Sequence, residues 1–177
     1  EDEITMWKKQ AAALICAILV LPLVASDEAY RPPTKKVKVV VEGMVYCQRC
    51  EHFGSWSLAG ARAIGAAKVS VTCKNYMNQV GYYKAFETDE KGYFWAEVDA
   101  FKKRRSVLEH PLQACHVKIL SSPLPHCSLL SNINNGLSGA PLTFVKQIPH
   151  PHHDVALYKV APLAFRPNFC PRKTPPY

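Results

Sequence analysis

From Val37 onward, apolar and polar residues alternate in short runs separated by turn-forming clusters. In VKVVVEGMVYC (37–47), Val37, Val39 and Val41 alternate with Lys38 and Glu42, the period-two signature of a half-buried strand. AKVSVTC (67–73) repeats the pattern with Val69, Val71 and Cys73 on one face. GYYKAFE (81–87) and GYFWAEV (92–98) flank Thr88-Asp89-Glu90-Lys91, which predicts a hairpin. CHVKIL (115–120), LTFVKQI (142–148) and VALYKV (155–160) bring the expected strands to seven. Helical periodicity is scarce, and a short helix near 56–64 is the one expected. Segment 101–114 reads as a basic loop. Pro123 and Pro125 exclude a central strand from 121–130, because proline cannot donate to a ladder on both sides. The pattern as a whole predicts an all-β domain, a small seven-stranded antiparallel sandwich or barrel.

The N-terminal region differs. Lys8 and Lys9 precede the apolar run Ala11–Ala25, and Val24-Ala25-Ser26 supplies small residues before Asp27. This is the layout of a secretory signal peptide over residues 1–26, with Met6 as the translation start and no role assigned to the residues before it. The run is shorter than the roughly 20 residues that span a bilayer, so no stable membrane anchor is expected. Residues 27–36 read as an exposed arm, since Pro32 and Pro33 deny it helix, and 172–177 as an open tail.

Setting the leader aside removes Cys16 and leaves Cys47, Cys50, Cys73, Cys115, Cys127 and Cys170. An even count in an exported chain implies a framework of three disulfides whose connectivity the sequence leaves open. Cys47-Gln48-Arg49-Cys50 also admits a thioredoxin-like redox site or half of a zinc site. The first wants a βαβ setting and the second wants another ligand pair, and neither accompanies it. Distant partners for each cysteine are the favoured reading.

The whole chain carries a formal charge of +8, and the part after residue 26 is one charge more basic. Outside the cell such a balance suits polyanions. No RNA- or DNA-binding motif accompanies it, so nucleic acid is not expected. Lys102, Lys103, Arg104 and Arg105 form the densest run, a candidate for a polyanion such as pectin or a merely solvated loop. Among the aromatic residues, Trp56, Tyr83 and Trp95 are candidates for a platform that stacks on sugar rings, with core packing as the alternative for each. His150, His152 and His153 form a weak candidate for soft metal binding, which no further ligand completes.

No catalytic constellation emerges. Gly136-Leu137-Ser138-Gly139-Ala140 lacks the last glycine of a nucleophile elbow, and Gly60–Gly65 lacks the Lys-Ser/Thr of a phosphate loop. The expectation is a non-enzymatic protein without a cofactor.

VEGMVYCQRC (41–50), AKVSVTCKN (67–75), YKAFETDEKGYFWAEV (83–98), the stretch 110–142 and APLAFRPNFCP (161–171) resemble the pollen Ole e I allergen and extensin family. The likeness is strongest to the PAC-domain branch of plant arabinogalactan and pistil extensin-like proteins, and it covers about 37–171. It implies secretion to the plant cell wall and the pairs Cys47–Cys127, Cys50–Cys170 and Cys73–Cys115. It further implies binding of wall polysaccharides, pectic or arabinogalactan-type glycans, and O-glycosylated wall proteins. The long Pro- or His-rich stalk of many relatives is replaced here by Arg31-Pro32-Pro33-Thr34, which argues against extensin-like cross-linking. A secreted signalling or inhibitory protein that recognises a receptor or protease in reproductive tissue is the alternative.

Overall fold

The computed structural model describes residues 36–99 and 110–171. The expected leader, the arm up to residue 35, the basic run 102–105 and the tail 172–177 lie outside the described residues.

Each of the seven expected runs forms a strand, and four shorter strands join them. In chain order they are β1 (Lys36–Cys47), β2 (Arg62–Ala63), β3 (Lys68–Lys74), β4 (Val80–Glu87), β5 (Tyr93–Val98), β6 (Cys115–Ser121), β7 (Leu129–Leu130), β8 (Ala140–Pro141), β9 (Thr143–Pro149), β10 (His153–Lys159) and β11 (Leu163–Arg166). They build two sheets. One runs β7-β11-β1-β10-β9, with β5 and β2 on the other side of β1; the second runs β4-β3-β6-β8. The inward faces meet in one core, in which Val39, Val41, Val45 and Phe94 of the first sheet oppose Val69, Val71, Val117 and Ile119 of the second. The result is a sandwich without barrel closure. Phe94 and Phe165 are almost wholly buried, each worth about 1.5–3 kcal/mol of transfer free energy.

β1 is the spine. Its first half pairs with β10 and its end with β11, both in parallel, while β5 and β2 run antiparallel to it. The expected antiparallel order therefore fails at these two pairings. Parallel neighbours need a long crossover, and the whole four-stranded sheet lies between β1 and β10 in the chain. A spine strand is also covered on both sides. Val40 packs outward with Val155 and Leu157 while Val39 and Val41 face the core, and Val37 at the strand's start is exposed.

Two local expectations are corrected. The segments 81–87 and 92–98 do not form a hairpin: β4 pairs with β3, and β5 pairs with β1 in the other sheet. The turn between them is a corner that crosses the sandwich. Buried Thr88 fixes it by donating to the Ile64 carbonyl at 2.6 Å and accepting from the Ala67 amide at 2.9 Å. Asp89 Oδ1 accepts from the amides of Lys91 and Tyr93, and Gly92 takes a φ of +76° that other residues resist. The helix expected near 56–64 is also absent. The segment passes through a bend and a turn into β2, and Gln48 Nε2 takes up the Ser57 carbonyl near its start.

Among the described residues, no helix is long and apolar enough to cross a membrane.

Candidate functional site

One end of the sandwich gathers three segments: 48–57 after β1, 122–128 after β6, and 166–170 after β11. Two disulfides tie them, Cys47–Cys127 and Cys50–Cys170. The third, Cys73–Cys115, joins β3 and β6 inside the core. These are the pairs that the family resemblance implies. Neither cysteine of the C-x-x-C segment bonds the other, so that segment holds neither a redox pair nor free thiolates for zinc.

Gln48 organises this end. It is 1% exposed, and its Nε2 donates to the carbonyls of Ser55 and Ser57 at 3.0 and 2.9 Å. Its Oε1 accepts from Arg166 Nε at 3.1 Å, and a second nitrogen of Arg166 donates to the Ser55 carbonyl at 3.0 Å. The backbone on both sides of Trp56 is thus held from beneath, while the indole is 68% exposed. The Arg166 guanidinium also lies 5.8 Å from the ring centre of half-exposed Phe53. Phe169 is presented in a similar way. Asn168 Oδ1 accepts from the amide and hydroxyl of Ser128, and its Nδ2 donates to the Pro125 carbonyl. Phe169 itself is 80% exposed between Asn168 and bridged Cys170. Large aromatic rings in water on a backbone fixed by hydrogen bonds and disulfides form a rigid contact surface.

Beside this surface lies a cleft of about 280 Å³, backed by Cys47 and Cys50 and lined by Gln48, Arg49, Arg62 and His126.

The three aromatic candidates stand on three different elements. Trp56 is on the pinned loop. Tyr83 is on exposed β4, in register with Thr72, which is in turn in register with His116. Trp95 faces outward on β5 opposite Glu42, and two residues away Tyr93 donates its hydroxyl to Glu42 Oε2 at 2.8 Å. Burial and that carboxylate push the Tyr93 phenol above the ordinary tyrosine range. His150 and His153 stack ring on ring at 5.2 Å rather than converging on a point. Among the described residues, no group of three or more His, Cys, Asp or Glu is arranged to hold a metal ion. Sequence reasoning missed Phe53, Phe169, Gln48 and Arg166. The disulfide pairing was the available signal, since a Cys50–Cys170 bridge draws 48–56 and 166–170 to one place.

No protein-family model matches the chain. Over 145 residues it is 30% identical to non-classical arabinogalactan protein 30 of Arabidopsis thaliana, an alignment covering 77% of this chain and 56% of that one. Over 100 residues it is 30% identical to a pistil-specific extensin-like protein of Nicotiana tabacum, covering 56% of this chain and 21% of that one. The chain therefore spans little more than half of the first relative and about a fifth of the second. Among solved structures, the major plantain pollen allergen Pla l 1 matches with a TM-score of 0.55 at 23% identity, covering 77% of this chain and 99% of that one. That likeness establishes a common fold.

Proposed function

Because this chain is a homologue of plant arabinogalactan, extensin-like and proline-rich proteins and carries a pollen-allergen fold, we propose that it is a secreted, non-enzymatic cell-wall module that binds pectic or arabinogalactan-type glycans. The observation that carries this reading is the pinned loop with its exposed Trp56, together with exposed Phe53 on the same segment and Phe169 on the segment bridged to it. Sugar rings offer apolar C–H faces that stack on aromatic side chains, and a ring carried on a backbone already fixed in place loses less conformational entropy when it binds. The basic balance of the chain adds attraction to uronates. Tyr83 and Trp95, exposed on the two sheets, extend the contact area available to a long polymer.

The test is a glycan array probed with the oxidised full chain, its three bridges confirmed by mass spectrometry. Selective retention of galactan, arabinogalactan or polygalacturonate is expected, and a blank array overturns the reading.

One observation favours a second reading, recognition of a protein partner. The β3–β4 turn exposes Tyr76 by 72% and Met77 by 53%, and Asn75 Oδ1 rigidifies it by accepting from the amides of Met77 and Gln79. Capture from wall extract that survives digestion of the glycans, and is lost when Tyr76 and Met77 become serine, supports that reading over the first.

A further inference from the structure

We propose that the cleft lined by Gln48, Arg49, Arg62 and His126 is a subsite for the carboxylate of a single hexuronate, with Arg62 as its principal anchor. This rests on the glycan-binding reading above and specifies which sugar the site selects.

The charge arrangement of the cleft carries the argument. Arg49, Arg62 and His126 line it from three separate segments, and among the described residues Glu51 is the one acid on its walls. Glu51 is already engaged, with its Oε1 3.1 Å from the Arg49 guanidinium. That pair is about half exposed, so water screens most of its energy while the two charges still cancel locally. Arg62 makes no ion pair among the described residues, and its guanidinium leaves the cleft with an uncompensated positive charge. A guanidinium presents parallel N–H donors that match the two oxygens of a carboxylate, the strongest form of charge-assisted hydrogen bond.

The walls are fixed before any ligand arrives. Arg62 sits on β2 in register with Cys47, and Cys47 is bridged to Cys127, the residue after His126. The backbone of His126 is held in turn, since its carbonyl accepts from the Asn168 amide at 3.0 Å. Arg49 precedes Cys50, which is bridged to Cys170. The backbone that carries each cation is therefore set in advance, and binding orders only the side chains.

Size selects the ligand class. At about 280 Å³ the cleft falls just below the roughly 300–1,000 Å³ of sites that enclose drug-sized ligands, so it suits one sugar unit rather than a chain. Gln48 lines the cleft and also holds the loop that carries Trp56. Gln48 thus joins the wall of the cleft to the loop that presents Trp56. Galacturonate of pectin and glucuronate on arabinogalactan side chains share this chemistry.

The experiment is calorimetric titration of the oxidised full chain with four oligosaccharides of equal length. These are an oligogalacturonate, its methyl ester, a neutral galactan oligomer and the same galactan capped by glucuronate. We expect a free acid to bind on the order of tenfold more tightly than its uncharged counterpart. Arg62→Ala should bring the acid to the affinity of the ester, whereas Lys118→Ala, the same charge change elsewhere, should leave the preference intact. Arg62 is exposed, so an unchanged unfolding midpoint and three intact bridges verify the variant's fold. A preference for the galacturonate oligomer assigns a pectic source, and one for the capped galactan an arabinogalactan source. Equal affinity for acid and ester, or a preference that survives Arg62→Ala, overturns the subsite while leaving glycan binding in place. If none of the four binds, the glycan-binding reading falls and the subsite with it.

Discussion

A buried glutamine holds an exposed tryptophan in place, and the two residues separate stability from recognition. Trp56 makes little packing contact, so Trp56→Ala should abolish glycan retention while leaving the thermal midpoint nearly unchanged. Gln48→Leu keeps the volume but strips the carbonyls of Ser55 and Ser57 of their donor and Arg166 Nε of its acceptor. Unsatisfied buried polar groups cost about 1–3 kcal/mol each, so this variant should lose both stability and binding even though Trp56 is still present. Thermal denaturation and a glycan pull-down on the two variants check the split. His116 supplies a pH dependence. Its ring lies against Gly139, where a Cβ would come within 2.7 Å of Cδ2, and burial together with Lys118 and Lys74 lowers its proton affinity below the usual 6.5. Below that pH the unfolded chain holds more protons than the folded one, so the stability is complete near neutrality and declines as pH falls through the folded value. Half-buried His153 is shifted in the same direction by desolvation, then by Lys38, His150 and His152. Chemical denaturation at stepped pH should show the decline, and His116→Gln should flatten it.

The alternation of side chains located the long strands but could not say which sheet each would join. Val69, Val71 and Cys73 are legible as a core face because strand residues two apart share a side, and that is how they pack. β11 escaped notice because it is four residues long and lies between Pro162 and Pro167, too short for a period to register. The β4–β5 connection was misread for a different reason. Thr88-Asp89-Glu90-Lys91 has the composition of a hairpin turn, but buried Thr88 bonds backward to Ile64 and Ala67 and steers the chain to the other sheet. That information is long-range, carried by one hydroxyl, and no local pattern reveals it. Thr88→Val tests the account. It preserves shape and removes the hydroxyl, which leaves the Ile64 carbonyl and Ala67 amide without these partners inside the sandwich. A cost of about 1–3 kcal/mol is expected, seen as a midpoint lowered by several degrees. A neutral result would mean that the corner is set by Asp89 and Gly92 instead. The site was legible in part on the same terms: an exposed Trp56 could be named, but its support combines nearby Gln48 with Arg166, more than a hundred positions away.

Across the whole molecule, the three disulfides do different jobs although the chain-entropy estimate ranks them alike. They close loops with sequence separations of 80, 120 and 42 residues, each worth about 4–5 kcal/mol in the unfolded ensemble. Burial distinguishes them. Cys73 and Cys115 lie in the core with the packed valines of β3 and β6, so replacing that pair disturbs packing as well as chain entropy. Cys50 is exposed and Cys170 half-buried, and their bridge touches little of the core. What it does is hold the segment of Phe169 against the segment of Trp56 and close one wall of the cleft. Cys50→Ser with Cys170→Ser should therefore leave the two sheets and their near-ultraviolet signature in place at moderate temperature while weakening glycan retention. Cys73→Ser with Cys115→Ser should do the reverse, lowering the midpoint further and preserving binding wherever the protein stays folded. Comparing the two double variants on the same array, at a temperature where both remain native, decides whether the end bridge is there for recognition. Equal binding by the Cys50/Cys170 variant and the parent would place the whole recognition surface on the hydrogen bonds of Gln48 and Arg166 alone.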